Sequence, residues 1–292
     1  MTTNSIAVCM GLNGVDPAHY SGWPGTLQAC EADARTMMSI ATSVGFKKIV
    51  PLLTADATRA RFLDAVATAA STLVSGDLFL MSYSGHGGQL PDLNGDEDDG
   101  LDETWCLYDG ELVDDEMYTA LQAFKSGVRI IAFADSCHSG TSLKQKMMSS
   151  FYQSTTVRRS ISDLHLLAGD FSENYPVFRA MPPDVAAAVY DENKGFYDPI
   201  LTNSSLAKSK NEISASVLFF AACQDNQLSR DGIFNGAFTG HLRSVWNAGK
   251  FSGNYEDFGK ALRAGMPPDQ TPVLSLLGPV DKKFEAQTPF TI

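Results

Sequence analysis

The sequence lacks three features that would settle its class at once. No apolar run approaches the roughly 18 residues needed to span a membrane. The start, Met1 to Ser5, has no basic region, and the apolar segment after it is too short for a signal peptide. Paired cysteines are also missing: Cys9, Cys30, Cys106, Cys137 and Cys223 are widely spaced and odd in number, with no CxxC, so neither a zinc cluster nor a disulfide framework is indicated. Free thiols fit a reducing compartment, and a cytoplasmic location is expected. Positive charge is scarce, with 22 Lys and Arg against 34 Asp and Glu, a net of −12. That balance argues against nucleic acid and anionic membranes as partners. It would suit a cationic substrate, although such a balance more often serves solubility alone. What remains is an ordinary globular composition, 44% apolar and 19% charged, in 292 residues, enough for one large domain or two modest ones.

Apolar runs alternate with helical periodicity along the first half. Residues 5–11 form a short apolar run closed by Gly11, and almost nothing precedes it, so no N-terminal prodomain is expected. Residues 12–26 read as a loop. Residues 27–44 carry Leu27, Cys30, Ala34, Met37, Met38 and Ala41 at helical spacing before Gly45. A strand over 47–53, a helix over 54–72 and a strand ending near His86 follow. This alternation points to parallel β-α-β units under a doubly covered sheet. An acidic loop spans 91–103, and 104–108 with 111–113 resembles a hairpin about Asp109-Gly110. Asp114 is the expected cap of a helix over 115–124, and a further apolar run ends at Asp135. Residues 141–213 are rich in serine, asparagine and basic residues, with short helical stretches near Leu164 and over 185–189. They read as a long connection between a part at 1–140 and a part at 214–292 of one domain. A strand over 214–223, helices over 234–248 and 255–264, and an edge strand over 271–277 containing Pro272 complete the pattern.

Two apolar runs end in chemistry. One delivers His86, followed by Gly87 and Gly88; the other, about 50 residues later, delivers Cys137. In open parallel sheets the ligand site lies beyond the carboxyl ends of the strands. A histidine beside a cysteine there makes a nucleophilic thiolate and its base. Backbone N–H groups near Gly87 and Cys137 would hold the oxyanion. His138 is a rival base, but neighbouring side chains on an extended segment point to opposite faces. His19, His165 and His241 occupy unremarkable surroundings. Asp135 lies two residues before the cysteine on the same strand face, where its carboxylate would pair with a guanidinium or ammonium.

These residues carry a resemblance. Residues 83–89 (Tyr-Ser-Gly-His-Gly-Gly-Gln), 98–103 (Asp-Asp-Gly-Leu-Asp-Glu) and 135–140 (Asp-Ser-Cys-His-Ser-Gly) resemble the caspase-like cysteine peptidases of metacaspase and prokaryotic orthocaspase type. Residues 27–33 resemble the family's early segment, with Ala29 and Ala32 departing from it. Residues 221–231 and 235–239 resemble its small-subunit region. The resemblance implies a caspase-like α/β sandwich: a mostly parallel six-stranded sheet, helices on both faces, and an antiparallel edge strand. It implies His86 as base, Cys137 as nucleophile, and cleavage of proteins or peptides after Arg or Lys by a monomeric enzyme. Asp33, Ser84 and Asp135 match the family's acidic S1 pocket, with Asp225 at its rim.

No cofactor is required for such chemistry. The acidic loop is not an EF-hand, because Glu97 stands where glycine is needed. The resemblance nevertheless allows Ca²⁺ as an activator at Asp99, Asp102, Asp114 and Asp115; a solvated acidic loop is the alternative. Self-processing in the connection is implied, with Lys144, Lys146, Arg158, Arg159 and Arg179 as candidates. A peptidase with another P1 choice, or a catalytically silent binding module using the same cleft, stays open.

Overall fold

In the computed structural model, residues 3–95, 100–136, 178–203, 206, 213–223, 229–232 and 234–292 are described. The apolar runs become strands: β1 (Ser5–Gly11), β2 (Lys48–Leu53), β3 (Leu78–Ser84), β4 (Gly87–Pro91), β5 (Leu101–Leu107), β6 (Gly110–Val113), β7 (Arg129–Asp135), β8 (Ser216–Ala221) and β9 (Val273–Leu277). Between them lie α1 (Cys30–Val44), α2 (Arg59–Thr72), α3 (Asp114–Gln122), α4 (Pro183–Glu192), α5 (Lys194–Leu201), α6 (Ala237–Trp246), α7 (Tyr255–Ala264) and the one-turn α8 (Lys282–Glu285).

Six strands form the main sheet in the order β2-β1-β3-β7-β8-β9. Every pair is parallel except β8 with β9. Strands β1, β3, β7 and β8 are buried at every position, which explains why they read as continuous apolar runs without alternation. Of the main-sheet strands, the two with proline in or beside them, β2 with Pro51 and β9 after Pro272, are the edges.

Alternate residues feed two cores. Val8, Met81, Ile130 and Phe219 meet Phe62 and Val66 of α2 and Met117 and Leu121 of α3. Ala7, Leu80, Ile131 and Leu218 meet Ala34 and Met37 of α1, Phe238 and Leu242 of α6, and Phe258 and Leu262 of α7. The result is the expected sandwich, a mostly parallel sheet with helices on both faces. Among the described residues, no helix is long and apolar enough to cross a membrane.

Several boundaries differ from expectation, each for a local reason. Helix α1 starts at Cys30, with the Asn13 side chain accepting from Glu31 N–H, so residues 27–29 stay outside it. The helix expected over 54–72 divides into a 3₁₀ turn at Thr54–Asp56 and α2, which the Thr58 hydroxyl caps. Asp114 is not a cap but the first residue of α3; Glu116 reaches back to accept from Val113 N–H at 3.2 Å.

Strand β4 was not foreseen, since Gly-Gly-Gln-Leu-Pro has little strand propensity. It pairs with β5, which pairs with β6, in a second, antiparallel sheet containing the anticipated hairpin. Over this sheet packs a third apolar cluster, joining Val15, Tyr20, Leu90, Cys106 and Val113 to Met181, Val189, Tyr197 and Leu201. The described part of the expected connection, 178–203, is thus tied into the fold by α4 and α5, while Leu164 lies outside the described residues.

Glu111 of β6 is buried in this layer. One carboxyl oxygen accepts from the Thr104 hydroxyl and the other has no hydrogen-bond partner. Burial pushes its pKa up to about 8, against the lowering effects of Thr104 and Arg59. The native state therefore holds a proton there that the unfolded chain releases above its ordinary carboxylate range, so stability falls as pH rises from about 4.5 through about 8. Glu111→Gln is expected to remove that slope. It should raise unfolding stability by on the order of 3 kcal/mol at pH 7 and leave it little changed at pH 4.5, read by urea denaturation at both pH values.

Candidate active site

Strands β3 and β7 are adjacent and parallel, with Ser84 opposite Asp135 in the register. Both chemistry-bearing stretches therefore leave the same sheet end side by side. Cys137 lies outside the described residues, as do His138 and His165. Ser136, immediately before the cysteine, is buried.

His86 is held from several directions. Its carbonyl accepts from the Tyr83 hydroxyl at 2.6 Å and from Cys106 N–H at 3.0 Å. The Trp23 ring packs against the imidazole at 4.7 Å between centroids. Nε2 is 3.0 Å from the Gly25 carbonyl, which can only accept, so Nε2 carries the hydrogen and Nδ1 of the neutral ring is bare. Nδ1 is buried and has no hydrogen-bond partner. Burial lowers the imidazole pKa to about 4; the bond to Gly25 opposes this and the charge of Arg179 adds to it. His86 is neutral at pH 7 in this state, a form able to take a proton.

Beside it is an acidic pocket. Asp33 projects from the first turn of α1, Ser84 and Asp135 from the ends of β3 and β7, and Asp231 from the segment after β8. All are buried to at least nine-tenths. Each carboxylate is fixed by donors: Asp135 accepts from the Ser229 hydroxyl at 2.6 Å and from Thr239 N–H and hydroxyl at 3.1 and 2.8 Å. Asp33 accepts from the Ser84 hydroxyl at 2.8 Å, Asn235 Nδ2 at 2.9 Å and Gly236 N–H at 3.0 Å. Asp231 accepts from Gln28 N–H at 2.7 Å. Burial raises the Asp33 pKa, and the neighbouring guanidinium draws it back down.

The pocket's occupant is Arg179, whose side chain is fully buried. One terminal nitrogen donates to Ser84 at 2.9 Å and the Asp135 carbonyl at 3.0 Å and pairs with the Asp135 carboxylate at 3.0 Å. The other pairs with Asp33 at 2.7 Å and Asp231 at 3.0 Å. Burial alone would lower the arginine's pKa; the surrounding acids, Asp135 foremost, outweigh it and raise it well above the ordinary value. Gly236 forms the floor, where an added Cβ would stand 2.4 Å from a guanidinium nitrogen.

The backbone around Arg179 is equally constrained. Its N–H donates to the Ser229 carbonyl at 3.0 Å, and Phe178 bridges Arg230 in antiparallel fashion. Its carbonyl accepts from Gly87 N–H at 3.0 Å, and Met181 N–H donates to the Gly87 carbonyl at 2.8 Å, so Ala180 bridges Gly87 in parallel fashion. Residues 178–181 thus run between the edge of β4 and Ser229–Arg230, with a bend at Arg179.

Of the residues nominated from sequence, the structure brings together His86, Gly87, Asp33, Ser84, Asp135 and, unexpectedly as the pocket's occupant, Arg179. Asp225, Lys144, Lys146, Arg158 and Arg159 lie outside the described residues. Asp231 and Gly236 were missed as pocket residues, although both fall in stretches already noted for resemblance. The carboxylates Asp102, Asp114 and Asp115 are buried at the start of β5 and of α3, and Asp99 lies outside the described residues. Among the described residues no three His, Cys, Asp or Glu side chains converge as a metal site.

The chain belongs to the caspase-domain family: the family's model matches residues 15–284. The family is one of cysteine-type peptidases, and curated proteins to which the chain is similar include metacaspases. It is 30% identical over 259 residues to metacaspase-1 of Cryptococcus neoformans, covering 82% of this chain and 54% of that protein. It is 31% identical over 254 residues to metacaspase-1 of Schizosaccharomyces pombe, covering 81% and 57%. The chain spans about half the length of the curated relatives it matches. A crystallised protein of Geobacter sulfurreducens superposes with a TM-score of 0.83 at 46% identity, covering 99% of this chain and 98% of that one. Caspase-1 of Spodoptera frugiperda shares the fold, with a TM-score of 0.51 at 11% identity over 94% and 86% of the two chains.

The His86 burial carries a pH signature. Its native pKa of about 4 lies below the unfolded value of about 6.5, so the unfolded chain binds the extra proton first and stability is lost as pH falls from about 6.5 through about 4. The loss reaches up to ~3 kcal/mol. His86→Gln should flatten this part of the acid slope, read from denaturation midpoints between pH 6.5 and 4.

Proposed function

We propose that the protein is a cysteine endopeptidase that cleaves after Arg, and less well after Lys, with Cys137 as nucleophile and His86 as base, and that the Arg179–Ala180 bond is its own processing site. The observation that carries this reading is the pose of Arg179: side chain among three carboxylates, N–H on Ser229, carbonyl on the Gly87 N–H. A bound substrate needs that combination, a cation in the S1 pocket and a scissile carbonyl on an oxyanion donor.

In this mechanism His86 Nδ1 takes the Cys137 proton, and the thiolate attacks the carbonyl carbon of the basic residue. Charge builds on the carbonyl oxygen, where Gly87 N–H and the N–H of Cys137 stabilise it. The imidazolium then protonates the leaving amine, Ala180 in the self-cleavage, and the C–N bond breaks to leave a thioester. Water, deprotonated by the now neutral His86, attacks the thioester, releasing the carboxylate and restoring the thiol. In the uncut state residues 178–181 fill the cleft, so an outside substrate has to displace them.

Arginine is favoured over lysine because Asp135 and Asp33 are served by two different guanidinium nitrogens, and a single ammonium cannot span both sets of partners in the same way. Loss of one charge-assisted hydrogen bond predicts about a ten-fold or greater preference for Arg in kcat/KM.

The test is incubation of wild type, Cys137→Ala and Arg179→Gln, with new termini mapped by mass spectrometry and hydrolysis of Arg- and Lys-ended fluorogenic peptides followed in parallel. Wild type should yield a new Ala180 terminus and hydrolyse the peptides. Cys137→Ala should do neither, and Arg179→Gln should lose the Ala180 terminus. Peptide hydrolysis by Cys137→Ala at the wild-type rate would sink the proposal.

A further inference from the structure

Upstream of the Arg179–Ala180 bond the contacts are ionic; downstream they are apolar. Met181 lies two residues beyond Arg179, just past the bridge between Ala180 and Gly87, and Ala180 between them is half-buried. The same glycine fixes both ends of this unit, since Gly87 donates to the Arg179 carbonyl at 3.0 Å and accepts from Met181 N–H at 2.8 Å. The register between the carbonyl and the residue two positions after it is therefore set by main-chain bonds.

The Met181 side chain is 5% exposed and belongs to the cluster that includes Leu90 of β4, Cys106 of β5 and Val113 of β6. Its methyl group closes over Gly88. A Cβ at Gly88 would stand 2.7 Å from Met181 Cε, 2.5 Å from the Glu111 carboxyl and 2.9 Å from the Thr104 hydroxyl. The space for Met181 exists because position 88 has no side chain. Among the described residues the cluster that receives it is apolar, and the Glu111 carboxyl and Thr104 hydroxyl face position 88 beside it.

Resting on the peptidase reading above, we infer that this space is a P2′ subsite, which selects substrates carrying a flexible apolar side chain, Met or Leu, two residues beyond the cleaved bond. Glycine leaves the apolar walls uncovered. Aspartate would bury a carboxylate among apolar side chains. Any peptide that is cut has displaced residues 178–181 from the Gly87 edge, so its own P2′ side chain meets the vacated space.

The experiment uses internally quenched peptides of sequence Phe-Arg-Ala-Xaa with Xaa as Met, Leu, Gly or Asp, and a control substrate ending in Arg with a chromophoric leaving group and no P2′ residue. All are given to the full chain, with the cut position read by mass spectrometry. Met and Leu peptides are expected to exceed Gly by about ten-fold in kcat/KM and Asp by about a hundred-fold, in the range one apolar contact gives in a specificity pocket. Hydrolysis of the control together with equal kcat/KM for all four peptides overturns the subsite alone. No cleavage after Arg in any substrate, the control included, overturns the peptidase reading and the subsite with it.

Discussion

A buried guanidinium among three carboxylates is the contact on which the rest of this structure turns. Taking ions out of water costs several kcal/mol each, and the cost is offset only where geometry and additional hydrogen bonds are good. Here both terminal nitrogens of Arg179 are engaged, and the acids are held by further donors on Ser229, Thr239, Asn235 and Gly236. The acids come from α1, from β7 and from the segment after β8, so the cation ties the first part of the chain to the last. The same acids, left without a cation, would repel one another in a buried space, and burial already raises the Asp33 pKa. A cavity so built favours a cation within it.

The parallel sheet is what makes that cavity and the imidazole neighbours. Pairing of β3 with β7 sets Ser84 level with Asp135, and two residues beyond Ser84 the chain turns out to present His86. The small antiparallel sheet begins there, at Gly87, which places the donor for the Arg179 carbonyl next to the histidine in sequence and space. The catalytic reading therefore depends on a junction between two sheets of different kind, one supplying the pocket and the other the edge that a strand can join.

Much of this was legible in the residues. Strands buried on both faces leave unmistakable apolar runs, and His86 and Cys137 stand out because each follows such a run. Asp135 could be read as a pocket acid because alternation puts it on the cysteine's face. Strand β4 was illegible: its glycines carry no propensity, and its partner β5 lies across an acidic loop. The assembly of Asp33 and Asp231 about one cation was equally beyond sequence reasoning, since it depends on contacts spanning up to 203 positions, such as that between Gln28 and Asp231. Arg179 could be listed among basic residues of a connection, but nothing local distinguishes it from Arg158 or Arg159. Only burial does.

Residues 178–181 are gripped by main-chain bonds on both sides, by Ser229 on one and Gly87 on the other. A chain in that place must offer free amide hydrogens and carbonyls along two opposite edges at once. A helix has already spent those groups internally, a strand inside a sheet has spent them on its neighbours, and proline lacks the hydrogen at the positions of Arg179 and Met181. On the function proposed, the cleft is a sensor of local unfolding as much as of sequence: a basic residue would become visible to it only where the surrounding backbone has come loose from its own fold.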